Sequence, residues 1–106
     1  MKNLEKVYNM IGLCQRANRL ITGLNLCETY IRKKKIKLVI VASDAGYNTK
    51  KDITNICKYY NVDVVEFGSG DMLGKMTGNE LRTVIGITDE GFKKELLSRI
   101  NDLGDM

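Results

Sequence analysis

The sequence contains no histidine and no proline, and only three cysteines. Histidine is the side chain best poised for proton transfer near neutral pH, so its absence removes the commonest catalytic triads. Without proline, repeats or low-complexity stretches, no segment reads as a linker. Cys14, Cys27 and Cys57 are far apart and sit among apolar neighbours. That spacing fits buried free thiols in a reducing cytosol and gives no partners at metal-ligand spacing. No run is long and apolar enough to span a membrane. The first residues lead into an amphipathic segment, not a signal peptide. Tyrosines fall mostly in helix-like segments and Phe67 ends a strand-like one, so no stacking platform for single strands is expected.

What is present is an ordinary globular composition, 43% hydrophobic and 28% charged over 106 residues, with a net charge of +4. A chain of this length is expected to form one domain, residues 1–106, and to bury roughly two thirds of its unfolded surface. The basic balance suggests a polyanionic partner, but only weakly.

Hydrophobic periodicity alternates between helix and strand. Residues 3–17 predict a helix with Leu4, Val7, Ile11 and Cys14 on one face, and Asn18 suits a left-handed stop. A short extended piece follows over 19–22. A second helix is expected from 23 to about 33, with Leu24, Cys27 and Ile31 inward and Asn25, Thr29 and Lys33 on the polar side. Glu28 and Arg32 are spaced for a supportive pair. Residues 36–42 form a strand whose unbroken apolar run requires cover on both faces. A helix over 48–60, a strand over 62–67, a short helix capped by Ser69, a strand over 83–88 and a helix capped by Asp89 complete the chain. This pattern predicts an α/β fold, a three-layer α/β/α sandwich around a small mixed sheet of about four strands.

In open sheets of this kind ligands gather where strands end and helices begin. Three such junctions are expected to converge on one edge: around Gly23, around Asp44 to Gly46, and around Gly68 to Gly70. A helix start at Gly23 exposes N–H groups that suit phosphate. Asn25 can read a base edge, or it can simply be solvated. The run Arg32-Lys33-Lys34-Lys35 can contact phosphate, or merely complement a helix C-terminus. Asp44 has no histidine or second carboxylate nearby and is expected to shape a turn. Gly68-Ser69-Gly70 is too short for a phosphate cradle and reads as a flexible loop.

The stretches "GLCQRANRLITGLNL", "KLVIVASDA" and "NVDVVEFGSGDMLGKMTG", in that order and spacing, resemble the kink-turn-binding ribosomal protein family. That is the family of the archaeal L-seven-Ae and L-thirty-e proteins, and the similarity points to its bacterial YlxQ-type branch. Leu73 to Gly78 and Ala42 to Ala45 are its clearest marks. The resemblance implies an α/β/α sandwich that binds sharply kinked RNA beside tandem sheared G·A pairs. The family's recognition helix begins Gly-x-Asn-Glu-x-x-Lys. The matching positions here are Gly23, Asn25, Leu26 and Thr29, so the Gly and Asn are kept while Leu26 replaces Glu and Thr29 replaces Lys. Glu accepts from base amino groups and Leu cannot, a loss of about 1–3 kcal/mol per contact.

The resemblance further implies an RNA-facing set of Arg19, Gly23, Leu24, Asn25, Leu26, Thr29, Lys33, Asp44 and Ala45. A second wall comes from Gly68, Ser69, Thr77, Gly78 and Asn79. It implies a non-catalytic, cytoplasmic, monomeric protein with structured RNA as partner, ribosomal or kink-turn-containing, and with no metal, cofactor or membrane. Two other readings stand beside it. One is a protein-interaction module on the same fold, favoured by Leu26. The other is a small enzyme acting on a nucleotide or RNA, disfavoured by the absent histidine and the lone Asp44.

Overall fold

The computed structural model describes residues 2–104. Met1, Asp105 and Met106 of the expected 1–106 domain lie outside the described residues. The helices are α1 (Lys2–Arg16), α2 (Leu24–Arg32), α3 (Tyr47–Tyr60), α4 (Gly70–Met76) and α5 (Glu90–Gly104). The strands are β1 (Leu20–Thr22), β2 (Leu38–Val41), β3 (Asp63–Glu66) and β4 (Val84–Ile87). The sheet order is β1-β4-β2-β3. β2 and β3 are parallel, while β4 runs antiparallel to both of its neighbours, with Leu38 and Leu20 each opposite Ile87. The expected mixed sheet of an α/β/α sandwich is therefore present.

α2 and α3 pack together on one face of the sheet, with α1, α4 and α5 on the other. β2 and β4 are buried throughout, which is why their sequences are apolar without alternation. The core joins Ile11, Ile31, Ile40, Ile53, Leu73, Ile85 and Leu96. Val7, Ile11 and Cys14 are fully enclosed on α1, but Leu4 is 38% exposed because it lies a turn short of the core. Asn18 and Asn61 take the left-handed conformation that ends α1 and α3, as their side chains allow. Asp89 Oδ2 accepts from the Phe92 N–H at 2.9 Å, capping α5. The expected Glu28–Arg32 ion pair is not formed.

The strand directions define two edges. β1, β2 and β3 run the same way and β4 runs against them. The ends of β1, β2 and β3 therefore meet the start of β4 at one edge, here called the upper edge. The starts of those three strands and the end of β4 form the lower edge.

Candidate nucleic-acid interface

The three junctions predicted to converge do share the upper edge, and backbone hydrogen bonds join them. The Gly23 N–H donates to Val84 O at 2.9 Å, Ala42 N–H to Thr83 O at 2.8 Å, and Ser43 N–H to Gly68 O at 2.8 Å. Asp44 supplies a side-chain link, its Oδ1 accepting from the Gly70 N–H at 2.9 Å. This explains a strand-end aspartate with no catalytic partner: it holds the start of α4 to the end of β2.

α2 begins on Gly23 at φ 96°, a conformation open to glycine and strained for other residues. No side chain caps it. The Cys27 N–H turns back to Gly23 O at 3.0 Å. The N–H groups of Leu24, Asn25 and Leu26 have no partner among the described residues and carry the positive end of the helix dipole. α3 begins on Gly46, again without a side-chain cap. Asn25 and Thr29 are exposed. The Thr29 hydroxyl donates to the Asn25 carbonyl at 3.1 Å, so its one proton is spent inside the helix.

The second wall is fixed more firmly than a glycine-rich loop suggests. Gly68 O and Gly70 N–H are both paired, and Ser69 Oγ accepts from the Met72 N–H at 3.2 Å, as expected of a cap. Beneath it Tyr8 packs on Phe67, ring centroids 5.0 Å apart. The expected flexibility is thus replaced by a tied loop. The Leu73 to Gly78 motif has a structural reason. A Cβ at Gly74 would stand 2.6 Å from Glu80 O, so only glycine lets residues 79–81 cross α4 this closely. Thr77 is 3% exposed, and its hydroxyl donates to Leu73 O or Gly74 O. Asn79 Nδ2 donates to Thr77 O at 3.1 Å. Thr77 and Ala45 are therefore enclosed; they shape the wall and do not present side chains to solvent.

Two residues absent from the sequence-based set belong to this edge. Arg82 donates from Nε to Thr22 Oγ1 at 3.4 Å, from Nη1 to Leu81 O at 2.8 Å and from Nη2 to Asn79 Oδ1 at 3.1 Å. Its guanidinium ties the start of α2 to the second wall. Tyr47, the first residue of α3, is 78% exposed. Leu26 at 48% and Leu81 at 53% are the other large apolar side chains exposed on this edge. Tyr47 lies on a helix, as expected of most of the tyrosines, and adds a single exposed aromatic to this edge. Its signal was an aromatic directly after the glycine that caps a helix. Arg82 gave no local signal, because its partners lie up to 60 residues away.

Arg19 and Lys33 are not brought to this edge. Arg19 precedes β1, and its carbonyl accepts from Thr88 N–H at 3.0 Å, beyond the end of β4. Lys33 caps the far end of α2 with its Nζ 5.6 Å from the Tyr30 ring centroid. Both belong to the lower edge.

Cys14, Cys27 and Cys57 are buried and free. Burial pushes the Cys14 and Cys27 thiols up to about 12 and Cys57 up to about 11, which leaves them poor nucleophiles and ligands. Among the described residues no group of three or more His, Cys, Asp or Glu could hold a metal ion, and no helix is long and apolar enough to cross a membrane.

The described residues thus form an α/β/α sandwich with two helix starts, on one tied edge, that no side chain caps. The chain belongs to the Ribosomal protein L7Ae/L30e/S12e/Gadd45 family, whose model matches residues 5–97. It is 36% identical over 94 residues to the RNA-binding protein YlxQ of Bacillus subtilis (strain 168), covering 89% of this chain and 94% of that one. Identity to the RNA-binding protein YlxQ of Enterococcus faecium is 44% over 93 residues, covering 88% and 89%. The large ribosomal subunit protein eL30 of Saccharolobus solfataricus is 37% identical over 83 residues, covering 76% of this chain and 77% of its own length. A solved Bacillus halodurans protein of unknown function superposes with a TM-score of 0.87 at 36% identity, covering 91% and 97%. The Giardia lamblia 15.5kD RNA binding protein superposes with a TM-score of 0.79 at 18% identity, covering 99% and 90%; that likeness concerns the fold alone. These relatives accord with the expected bacterial branch and with a non-catalytic protein.

Proposed function

We propose that this chain is a single-domain RNA-binding protein whose upper edge recognises structured, kink-turn-like RNA associated with ribosomes. The observation that carries the reading is the pairing of Gly23 and Asn25 at an uncapped helix start. Free N–H groups there suit a phosphate, and an exposed amide in the first turn suits a base edge. The YlxQ relatives are named as RNA-binding and eL30 as ribosomal, which supports the partner class.

Within this reading the earlier set of residues divides. Gly23, Leu24, Asn25, Leu26, Thr29, Gly68, Ser69, Gly78 and Asn79 face the RNA. Asp44, Ala45, Thr77 and Arg82 hold the walls in place. Leu26 lays apolar surface where the family's glutamate would accept from base amino groups. Shape and backbone contacts therefore carry more of the recognition, as is usual for RNA.

The test is a titration of the full chain against a labelled kinked stem and the same stem with its sheared G·A pairs made Watson–Crick, at one fixed salt concentration. Tighter binding to the kinked stem is expected. Equal binding to both, together with a protein partner retained after nuclease treatment, would instead favour the interaction-module reading that the exposed Leu26 suggests.

A further inference from the structure

The basic run does not lie at the recognition end of α2, and this leaves a second charged surface without a role. The lower edge collects Arg19, Arg32, Lys33, Lys34, Lys35 and Lys37, all exposed. None of them stands within ion-pair distance of a carboxylate among the described residues. The carboxylates of this edge are already engaged: Asp63 and Glu90 on Lys93, and Asp89 on the Phe92 N–H. The fold fixes the spacing of the cations. Lys37 N–H donates to Ile87 O at 2.7 Å and Thr88 N–H to Arg19 O at 3.0 Å, so Arg19 and Lys37 flank the end of β4. Two strand steps separate them, roughly 10 Å.

Lys34 adds an independent observation. Among the described residues, three other than glycine have positive φ: Asn18, Asn61 and Lys34. Asparagine accommodates that conformation, and lysine at φ 61° does so at a cost. The turn closes through Lys34 N–H to Ile31 O at 2.9 Å and Lys35 N–H to Tyr30 O at 3.0 Å, where glycine would serve the backbone better. A strained lysine kept among unpaired cations points to use of its charge. Ile36, the apolar residue of the segment, is 3% exposed. The segment thus offers charge without a side chain to insert into lipid, which favours a phosphate backbone over a membrane surface.

We propose that the lower edge is a second RNA surface, binding the phosphate backbone of a helical segment separate from the RNA read at the upper edge. The protein then bridges two RNA segments, one recognised and one held by charge. The bridging rests on the upper-edge reading; duplex binding by the lower edge does not.

The probe is a plain, unkinked RNA duplex, with the log of affinity followed against the log of salt concentration. The wild type is expected to bind it with a steep slope. In the full chain carrying Lys34→Gln, Lys35→Gln and Lys37→Gln, the slope should fall by roughly 2–3. Beads carrying the kinked stem should retain labelled duplex through the wild type and lose it with the triple variant. Lys34→Gly should melt at a higher temperature than wild type yet bind duplex more weakly. An unchanged slope in the triple variant, or equal duplex binding by Lys34→Gly, overturns the proposal. So does loss of duplex binding in Asn25→Ala, which would mean a single surface. Failure to discriminate kinked from unkinked stems refutes the upper-edge reading alone, so the two failures are distinguishable.

Discussion

The two edges of the sheet use the same helix in opposite ways. α2 starts at the upper edge with unpartnered N–H groups on Leu24, Asn25 and Leu26 and an exposed Asn25 side chain, and ends at the lower edge in Arg32 and Lys33. At the upper edge two cations are committed to the protein. Arg82 is bonded to Thr22, Leu81 and Asn79, and Lys50 to Ser43 O and Glu66. At the lower edge the cations of the basic run have no carboxylate partner among the described residues. On the proposed reading, backbone N–H groups in a fixed frame give position and the Asn25 amide gives selectivity, while lysines give attraction that any phosphate satisfies. If the upper edge discriminates as proposed, it benefits from having few mobile charges, because these would reward wrong partners equally.

The contrast can be broken most strongly at Asn25. Asn25→Ala is expected to weaken binding to a kinked stem by about 1–3 kcal/mol, roughly five- to 150-fold, by equilibrium titration. Lys34→Ala should cost far less on the same stem. Gly74→Ala should break the second wall from below, because its Cβ meets the Glu80 backbone. A loss of about 1–3 kcal/mol in denaturant unfolding is expected. Leu26→Glu sharpens the contrast in the other direction: restoring the acceptor should tighten kinked-stem binding by up to about tenfold without altering plain-duplex binding. Arg82→Met should cost about 1 kcal/mol of stability and lower discrimination between stems, since it unties α2 from the wall. The smallest effect concerns the thiols. Native Cys14, Cys27 and Cys57 should resist alkylation at pH 8, while the unfolded chain reacts. Their folded values stand at about 11 to 12 against 9.0 unfolded. Ionisation therefore favours the unfolded chain first, and stability should fall as pH rises above about 9.

Much of the frame was legible because local chemistry decides it. The apolar run of β2, the caps Ser69 and Asp89 and the left-handed Asn18 are each set by neighbours a few residues away. What escaped depended on strand order. The placement of β4 between β1 and β2 is a tertiary outcome, and it brings Arg82 from 60 residues away onto Thr22. Arg19 and Lys33 are separated from Gly23 by the lengths of β1 and α2, although helical spacing alone sets Lys33 near the face of Asn25. Tyr47 was hidden for a different reason: its exposure depends on α3 starting without a covering loop. The loop at Gly68 looked mobile because composition shows its glycines and not the partners that hold them.

The most direct measurement is the ratio of affinities for kinked and Watson–Crick stems, taken at one salt concentration for wild type, Asn25→Ala and the lower-edge triple variant. The division of labour predicts a ratio well above one for wild type, a ratio near one for Asn25→Ala, and a ratio in the triple variant close to that of wild type despite weaker binding to both. A ratio that collapses in the triple variant and survives in Asn25→Ala would contradict it, and would place recognition in the charges.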